Sequence, residues 1–332
     1  MEPTKMKAIV ANAYGGPEVL QLQHIAKPQP KPTELLVRNV NTAATTADTM
    51  LRTGTPWYGR LMIGLRKPKA SVPGTGFAGI VEAVGDSVTQ FQVGDRVFGE
   101  MGFAFGAYAE YVTVPEDGLV LLMPENLPFS EAASFTDGHL TSYNFLQRMA
   151  QLKPGQHILI NGAAGSLGSS AVQLAKYIGA TVTGVCSTRN LGLVKSLGAD
   201  VVIDYTQEDF SAGEELYDFV YDSVGKSSFA QAKRVLKPGG SYLSPVLSMK
   251  LLGNMLWTSL FGRKKAQFDA TGARPLPELT AMMGELIAIY EAGGLTTLID
   301  RQYPLEKMAE AHGYLSSGRK KGNVVITIQE AA

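Results

Sequence analysis

The stretch HILINGAAGSLGSSAVQLAK, residues 157–176, decides the fold of this chain. Residues 157–160 predict a short β-strand, and Val172, Leu174 and Ala175 give the residues from about 166 to 178 the apolar face of a helix. The small residues between them, 161–165, form a turn whose backbone N–H groups can approach a phosphate at the positive end of that helix. A strand, a turn of small residues and a helix in this order predict a dinucleotide-binding unit.

The glycine positions of the dinucleotide pattern Gly-x-Gly-x-x-Gly are filled here by Ala163, Gly165 and Gly168. Alanine at the first position departs from the pattern, and the glycines alone would be a weak signal. The strand before them and the helix after them strengthen it. We therefore expect the phosphates of a dinucleotide to contact the turn residues Ala163, Ala164, Gly165, Ser166, Leu167 and Gly168.

The composition predicts a globular chain of two domains. Its 332 residues are 45% hydrophobic and 18% charged, which suits a large core and not a disordered chain. A formal net charge of zero argues against a general binder of nucleic acids or of anionic membranes. The single cysteine, Cys186, excludes an intrachain disulfide framework and a cysteine-based zinc cluster.

Location follows from the segments that are missing. The first residues, MEPTKMKAIV, lack the apolar core and cleavage site of a secretory signal. No apolar run is long enough to span a bilayer, so we expect a cytoplasmic protein without a membrane span.

One apolar segment, MKLLGNMLWTSLFGRKK at residues 249–265, ends in a basic cluster and is too short to cross a membrane. We favour a helix or loop packed over a pocket or a subunit interface. The alternative is peripheral membrane contact by an amphipathic segment.

The pattern of the chain changes near residue 130. Residues 6–124 are rich in short β-type runs separated by Pro and Gly. After Ser130, an expected helix N-cap, helical and strand patterns alternate, which predicts a parallel sheet with crossover helices. The last strand pattern, residues 322–328, could return to the first domain and make that domain discontinuous.

Motifs over nearly the whole chain closely resemble the medium-chain dehydrogenase/reductase superfamily, and within it the zinc-free quinone oxidoreductase branch with its zeta-crystallin-like proteins. They are YGGPEVLQL (14–22), PGTGFAGIVEAVG (73–85), VGDRVFG (93–99), GAYAEYV (106–112), NGAAGSLGSSAVQLAK (161–176), GADVVIDY (198–205) and YPLEKMAEAHGYLSSGRKKGNVVITI (303–328).

This resemblance implies an α/β fold in which a Rossmann doubly wound parallel sheet is inserted into a GroES-like β-barrel domain. The catalytic GroES-like domain would comprise residues 1–125 and 270–332, and the Rossmann domain residues 126–269. The resemblance also implies an active site in the cleft between the domains and a homodimer.

The positions that hold catalytic zinc in related dehydrogenases carry other residues here. By the local motifs these positions are Thr45, Thr75 and Asp137, and threonine hydroxyls are poor zinc ligands. The four-cysteine structural zinc lobe is also missing, so we expect no metal. We expect His24 and His312 at the surface and His139 as a packing residue.

The end of the second predicted Rossmann strand favours NADPH over NADH. An acid there would hold the ribose hydroxyls of NAD, but the sequence at 184–190, GVCSTRN, has none. Ser187 and Arg189 could instead donate to a 2′-phosphate, with Cys186 beside the cofactor at backbone level. The resemblance adds Tyr205, Val224, Gly225, Ser244 and Val246 as cofactor neighbours.

We expect a zinc-independent, NADPH-dependent oxidoreductase that transfers hydride to a quinone. The first alternative is reduction of the C=C bond of α,β-unsaturated carbonyls (enals and enones), in which a donor stabilises the enolate. Thr45, Tyr58 and Thr141 are the candidate donors.

The apolar runs around residues 57–65 and 255–261 favour an apolar acceptor. A second class of function is a cofactor-binding structural or RNA-binding protein, although the neutral charge speaks against nucleic acid. The basic runs at residues 263–265 and 319–321 are expected to be solvated.

Overall fold

A computed structural model describes residues 4–214 and 216–330 of the chain. It divides into two compact units. The first, here called the β-rich unit, comprises Met1–Asp137 and Thr297–Ala332, and the second, the α/β unit, comprises Gly138–Thr296.

Strands account for most of the β-rich unit and alternate with helices in the α/β unit. The strands of the described residues are β1 (Lys5–Val10), β2 (Gln21–Ala26), β3 (Glu34–Ala44), β4 (Gly76–Val84), β5 (Arg96–Glu100), β6 (Tyr111–Pro115), β7 (Leu119–Leu122), β8 (His157–Asn161), β9 (Thr181–Cys186), β10 (Val201–Asp204), β11 (Tyr217–Asp222), β12 (Leu236–Leu243), β13 (Lys265–Gln267), β14 (Ile299–Pro304) and β15 (Asn323–Thr327). The α-helices are α1 (Thr46–Thr53), α2 (Arg60–Ile63), α3 (Phe129–Ala132), α4 (Thr141–Tyr143), α5 (Ser166–Ile178), α6 (Leu191–Ser196), α7 (Phe229–Val235), α8 (Met249–Phe261), α9 (Leu276–Glu291) and α10 (Met308–Ser316), and π-helical turns at Thr136–Leu140 and Asn144–Met149 flank α4.

The α/β unit is built on a parallel sheet with strand order β10-β9-β8-β11-β12-β13. Ile158, Leu159 and Ile160 of β8 are completely buried, as expected for a strand in the middle of a sheet covered on both faces. The chain leaves β8 towards β9 and β10 on one side and resumes at β11 on the other. The strand order therefore reverses between β8 and β11, and ligands of such sheets bind at this switch point.

The β-rich unit contains a seven-stranded sheet in the order β14-β15-β3-β4-β5-β7, with β6 also paired to β3, and a separate β1-β2 pair. Its core includes Leu35, Phe77 and Val97, all completely buried. The C-terminal strand β15 pairs antiparallel with β3, which places Val325 opposite Ala43. The end of the chain thus returns to the N-terminal sheet.

The unit boundaries differ from the residues expected from the sequence. Residues 126–137 belong to the β-rich unit, where Arg96 Nη2 donates to the Leu127 carbonyl at 2.8 Å. Residues 270–296 belong to the α/β unit, because α9 buries Met282 and Met283 and its Glu285 pairs with Arg148 at 2.7 Å. The boundary at residue 270 was expected from the family resemblance. The apolar pattern of α9, which packs in the α/β unit, was not used to place it.

One local expectation also differs. Ser130 is not an N-cap, because α3 begins one residue earlier, at Phe129, with Pro128 in the capping position.

Two glycines of the turn after β8 differ in the space around them. A Cβ on Gly168 would lie 2.1 Å from the Gly162 carbonyl oxygen, whereas a Cβ on Gly165 would meet only that oxygen, at 3.4 Å. We predict that Gly168→Ala lowers the free energy of unfolding by about 1–3 kcal/mol, because helix and turn must move apart. Gly165→Ala should cost less than about 1 kcal/mol.

Denaturant titration of both variants, followed by far-ultraviolet circular dichroism, measures the difference. Equal midpoints for Gly168→Ala and Gly165→Ala would show that the close packing at Gly168 does not constrain the fold.

Candidate functional site

The turn between β8 and α5 has the shape of an anion cradle. Gly162 adopts a left-handed conformation, with φ of 83°, and Gly165 caps α5 with extended backbone. Within the turn, the Gly165 N–H donates to the Gly162 carbonyl at 2.9 Å. The N–H groups of the first turn of a helix have no acceptor inside the helix. In α5 they include those of Leu167 and Gly168.

The space around the two later glycines separates their roles. Gly168 is where α5 packs against the turn, since a side chain there would collide with the Gly162 carbonyl. Gly165 faces open space apart from one contact, so a ligand phosphate can approach its backbone. The residues present therefore fit a dinucleotide pyrophosphate at the helix N-terminus.

Asp222 at the end of β11 organises the other side of the switch point. Its carboxylate is completely buried and accepts hydrogen bonds from Asn161 Nδ2 (2.9 Å), Gly225 N (3.0 Å), Ser227 N (2.9 Å) and the Tyr242 hydroxyl (2.8 Å). Burial, together with this carboxylate, raises the pKa of Tyr242, so its hydroxyl keeps its proton and donates it. The carboxylate thus connects β8, the loop after β11, and β12.

The cofactor residues expected after β11 and β12 lie together beside the turn. A Cβ on Gly162 would lie 2.6 Å from Val224, and one on Gly225 would lie 2.7 Å from Val246. The Ser244 hydroxyl donates to the Asp222 carbonyl at 3.1 Å and accepts from Val246 N at 3.2 Å. The fold therefore brings Val224, Gly225, Ser244 and Val246 to the edge of the sheet that carries the cradle.

At the end of β9 the structure shows an acid that the sequence argument did not weigh. Asp204 ends β10 and pairs in register with Cys186. Its carboxylate accepts from the Thr188 hydroxyl at 2.5 Å and from Thr206 N and Oγ1 at 3.0 and 2.8 Å. These bonds, led by that of Thr188, lower the pKa of Asp204. The acid is therefore ionised, and it is engaged by the loops after β9 and β10.

The predicted neighbours of a 2′-phosphate surround this loop. Ser187 is the N-cap of the short 3₁₀ turn Thr188–Asn190, Arg189 within it is exposed, and Tyr205 is exposed just after β10. Cys186 is buried, and burial raises the pKa of its thiol to about 11. The thiol is therefore protonated at neutral pH and unsuited to act as a nucleophile.

The candidate proton donors sit in different environments. Thr45 is buried as the N-cap of α1, and its hydroxyl donates to Asp48 Oδ2 at 2.8 Å while accepting from Asp48 N at 3.0 Å. Tyr58 is partly buried, with its ring edge towards Trp57. The partly buried Thr141 hydroxyl has no hydrogen-bond partner among the described residues.

Thr141 is also held near the cradle. Its neighbour Ser142 donates through Oγ to the Leu167 carbonyl at 2.7 Å, which fixes the start of α4 against the first turn of α5. A Cβ on Gly138 would lie 2.8 Å from Ser166 Oγ, so the preceding π-helical turn also packs closely on α5. Thr141 is thus the candidate hydroxyl that the α/β unit places beside the turn.

The residues at the zinc positions do not form a metal cluster. Thr45 is engaged by Asp48, and the Thr75 carbonyl accepts from Met101 N at 2.8 Å. Over residues 4–214 and 216–330, no group of three or more His, Cys, Asp and Glu side chains could hold a metal ion. Asp137 instead faces two other acids, Asp48 and Glu100. Burial raises the pKa of Asp48 to about 6 and that of Glu100 to about 7.

A buried polar chain in the β-rich unit was not expected. His312, expected at the surface, is buried, with Nδ1 accepting from Arg52 Nε at 3.3 Å and Nε2 3.1 Å from the Tyr108 hydroxyl. Burial, together with Arg52, lowers the pKa of His312 to about 3, so the ring is neutral. Tyr108 in turn faces Asp48. The chain therefore links α1 with α10 through uncharged donors and one buried guanidinium.

Lys320 is the second residue that the sequence argument missed. It was taken as part of a solvated basic run, but it is partly buried, and burial lowers the pKa of its ammonium group. The acids that oppose this effect are Asp137, Asp300 and Asp48. The only signal in the sequence was its place three residues before β15, which packs inside the unit. His139 is buried as expected, and burial lowers its pKa to about 3.

No helix in the described part of the chain is long and apolar enough to cross a membrane.

The chain is similar to known proteins over most of its length. Residues 31–125 match the family described as alcohol dehydrogenase GroES-like domain, and residues 197–326 match the family described as zinc-binding dehydrogenase. The 2-methylene-furan-3-one reductase of Solanum lycopersicum is 35% identical over 98% of this chain and 79% of its own length. A quinone oxidoreductase of Pseudomonas aeruginosa is 34% identical over 96% of this chain and 99% of its own length.

A solved structure has a similar fold over nearly the whole chain. The Escherichia coli quinone oxidoreductase complexed with NADPH superimposes with a TM-score of 0.84 at 27% identity, covering 97% of this chain and 100% of that one. Together with the Rossmann strand order and the cradle after β8, these matches confirm the expected family and α/β fold. The chain belongs to the zinc-free quinone oxidoreductase branch of the medium-chain dehydrogenase/reductase superfamily, and it is an oxidoreductase of a nicotinamide-dinucleotide-binding family.

Proposed function

We propose that this enzyme is a zinc-independent NADPH-dependent reductase that transfers hydride to an apolar quinone. The observation that carries the proposal is the loop after β9, where Ser187 and Arg189 stand and the nearby acid, Asp204, is occupied by Thr188 and Thr206. The bound cofactor supplies the hydride.

The cradle residues bind and orient the pyrophosphate in this proposal. The N–H groups of Leu167 and Gly168 donate to its oxygens, and the absent side chain of Gly165 leaves room for it. Asp222 acts one step away by holding Asn161, Gly225 and Ser227 in place. Val224, Gly225, Ser244 and Val246 then line the edge against which the rest of the cofactor lies.

The preference for NADPH rests on charge. An acid that ended β9 would repel a 2′-phosphate and favour NADH, but β9 ends in Cys186. Asp204 lies one strand further, where Oδ2 accepts from Thr188 in the loop after β9 and Oδ1 accepts from Thr206 in the loop after β10. Arg189 is exposed at the position where a guanidinium can bind a phosphate through two hydrogen bonds. The solved relative that binds NADPH supports the same preference.

Reduction of an apolar quinone requires fewer catalytic side chains than reduction of the other acceptors. A reduced quinone oxygen can take its proton from solvent or from a nearby hydroxyl, so no strong general acid is needed. The β-rich unit exposes Trp57, Leu61 and Met62, which suits an apolar acceptor better than a small polar one. The relative from Pseudomonas aeruginosa, a quinone oxidoreductase, supports this class.

Reduction of an activated C=C bond is the second candidate. The Solanum lycopersicum relative is named as a reductase of a methylene-furanone, an α,β-unsaturated ketone. This reaction needs a donor for the enolate oxygen. Thr141 serves best, because its hydroxyl has no other partner in the described residues, whereas that of Thr45 is committed to Asp48. Tyr58 stays a candidate from its place in the apolar loop.

The remaining expectations are a homodimer and a cytoplasmic location, and both stay predictions. A purely structural or RNA-binding role is disfavoured, because the relatives are named as reductases and oxidoreductases.

The acceptor is tested by turnover. Purified protein with NADPH or NADH is assayed against quinones and α,β-unsaturated carbonyls, with metal analysis of the same sample. We expect quinone reduction with NADPH and no stoichiometric metal. Stoichiometric zinc, or turnover of enones alone, would contradict the proposal in its first form.

Cofactor preference is tested at Arg189. We predict that Arg189→Ala weakens NADPH binding about 10- to 100-fold, the loss of one or two charge-assisted hydrogen bonds, and leaves NADH binding unchanged. Fluorescence titration of both cofactors measures this. Lys195→Ala, an exposed cation on α6, is the control and should bind both cofactors as the wild type does. Equal losses of affinity for NADPH and NADH would show that Arg189 does not bind the 2′-phosphate.

The donor is tested at Thr141. We predict that Thr141→Val lowers kcat for enones about tenfold or more, because a developing enolate loses its hydrogen bond, while quinone turnover is retained. Thr141→Ser keeps the hydroxyl and should restore enone turnover. If Thr141→Val reduces enones as fast as the wild type, the donor is another group.

A further inference from the structure

Helix α8 is fixed to the α/β unit by a narrow inner side. Its N-cap, Ser248, accepts a hydrogen bond from Leu251 N at 3.1 Å. Leu251 and Thr258 are buried, and Met255 packs against the same apolar cluster as Ala266 of β13. The Lys265 ammonium group donates to the Thr258 carbonyl at 2.6 Å, which secures the end of the helix. The helix is therefore ordered by a few inner residues.

The outer side of α8 is an exposed apolar face. Its side chains are 40–73% exposed and follow one another at helical spacing: Met249, Leu252, Leu256, Trp257, Leu260 and Phe261. The Trp257 and Phe261 rings lie together, with centroids 5.1 Å apart. The rest of the described chain leaves this face uncovered. A contiguous exposed apolar face of this kind marks an interaction surface.

The segment of chain that carries α8 is strongly basic, although its Lys237 pairs with Asp218 at 2.9 Å. The 224–268 segment contains six lysines and two arginines, eight cations in all, and no Asp or Glu, in a chain whose formal net charge is zero. Lys250 in the first turn of α8 and Arg263 just beyond its end are exposed. The Lys264 ammonium group donates to the Lys233 carbonyl at 2.8 Å, so the cationic end of α7 lies beside the end of α8. A basic segment is therefore present although the formal net charge of the whole chain is zero.

These two properties select one occupant. A second copy of the chain, placed on this face by a two-fold axis, would bring the same cations against each other and be repelled. An anionic bilayer surface can bind both the apolar face and the cations beside it. Apolar side chains and tryptophan enter the interface, and lysine and arginine contact the headgroups. The helix has 13 residues, so it would lie in the interface without crossing it.

We propose that the outer face of α8, with Lys250, Arg263 and Lys264, docks the enzyme on the surface of an anionic membrane. Each cation near such a surface strengthens binding about fivefold, and salt weakens this contribution. The proposal stands whichever acceptor the enzyme reduces and whichever cofactor it prefers.

Vesicle co-sedimentation of the full chain tests the proposal. The vesicles are phosphatidylcholine alone and phosphatidylcholine mixed with phosphatidylglycerol. We expect binding to the mixed vesicles, little to phosphatidylcholine alone, and a loss at high salt. Leu256→Ser should release the protein from the vesicles. Leu65→Ser, equally exposed in the β-rich unit, is the matched control and should leave binding intact.

The two tryptophans of the chain, Trp57 and Trp257, give a second readout that does not depend on a destabilised variant. In Trp57→Phe, emission from Trp257 should shift to shorter wavelength with anionic vesicles. In Trp257→Phe, emission from Trp57 should not shift. Arg263→Gln should weaken vesicle binding about fivefold.

Three outcomes would overturn the proposal. They are equal binding to both vesicle types, undiminished binding of Leu256→Ser, or a shift of Trp57 in place of Trp257. Absence of vesicle binding together with a dimer that Leu256→Ser dissociates would assign the face to a second copy of the chain.

Discussion

The buried carboxylate of Asp222 is the constraint on which the cofactor edge depends. A carboxyl group removed from water destabilises the fold unless hydrogen-bond donors replace its hydration. Here a side-chain amide, two backbone N–H groups and a tyrosine hydroxyl do so, all at 2.8–3.0 Å. These donors belong to β8, the loop after β11, and β12. The hydrogen bonds to this one carboxylate therefore fix three segments of chain that surround the turn at Gly162.

Asp204 applies the same principle one strand away. Its oxygens accept from Thr188 and Thr206 and so shape the loop that carries Arg189. Two acids at the carboxyl edge of a parallel sheet would ordinarily disfavour an anionic ligand. The oxygens of both carboxylates accept hydrogen bonds from neighbouring segments of the chain. The backbone N–H groups at the start of α5 and the exposed Arg189 lie in the loops at this edge, and such donors suit the phosphates of a dinucleotide.

The sequence predicted those parts whose signals are local. Helix α5 has the expected bounds, Ser166–Ile178, because an apolar periodicity, a preceding strand and small residues all act within a few positions. The residues after β11 and β12 that we propose as cofactor neighbours also gather at the turn, because parallel strands end at one edge. Ser130 failed as a cap because Pro128, two residues earlier, takes that position. The domain change at 270 failed because α9 is held by partners distant in sequence, such as Arg148.

Residues whose roles depend on the tertiary fold left no local signal. His312 and Lys320 both lie near polar or charged residues in the sequence and were expected in solvent. The fold instead places His312 between Arg52 and Tyr108, and Lys320 among Asp48, Asp137 and Asp300. A sequence shows which side chains are charged but not which opposite charges the fold will bring to them. This is why the binding edge was foreseen in more detail than the β-rich unit.

Hydrogen bonds organise helix α1 in the β-rich unit. Thr45, at a position that holds a zinc ligand in related dehydrogenases, forms a capping box with Asp48 and so fixes the start of α1. Arg52, on the same helix, is tied through His312 to α10 and to Tyr108. Hydrogen bonds therefore hold the helix at both ends. With no Lewis acid in this proposal, an electrophilic acceptor such as a quinone or an enone is a better match than an alcohol, which would have to lose a proton first.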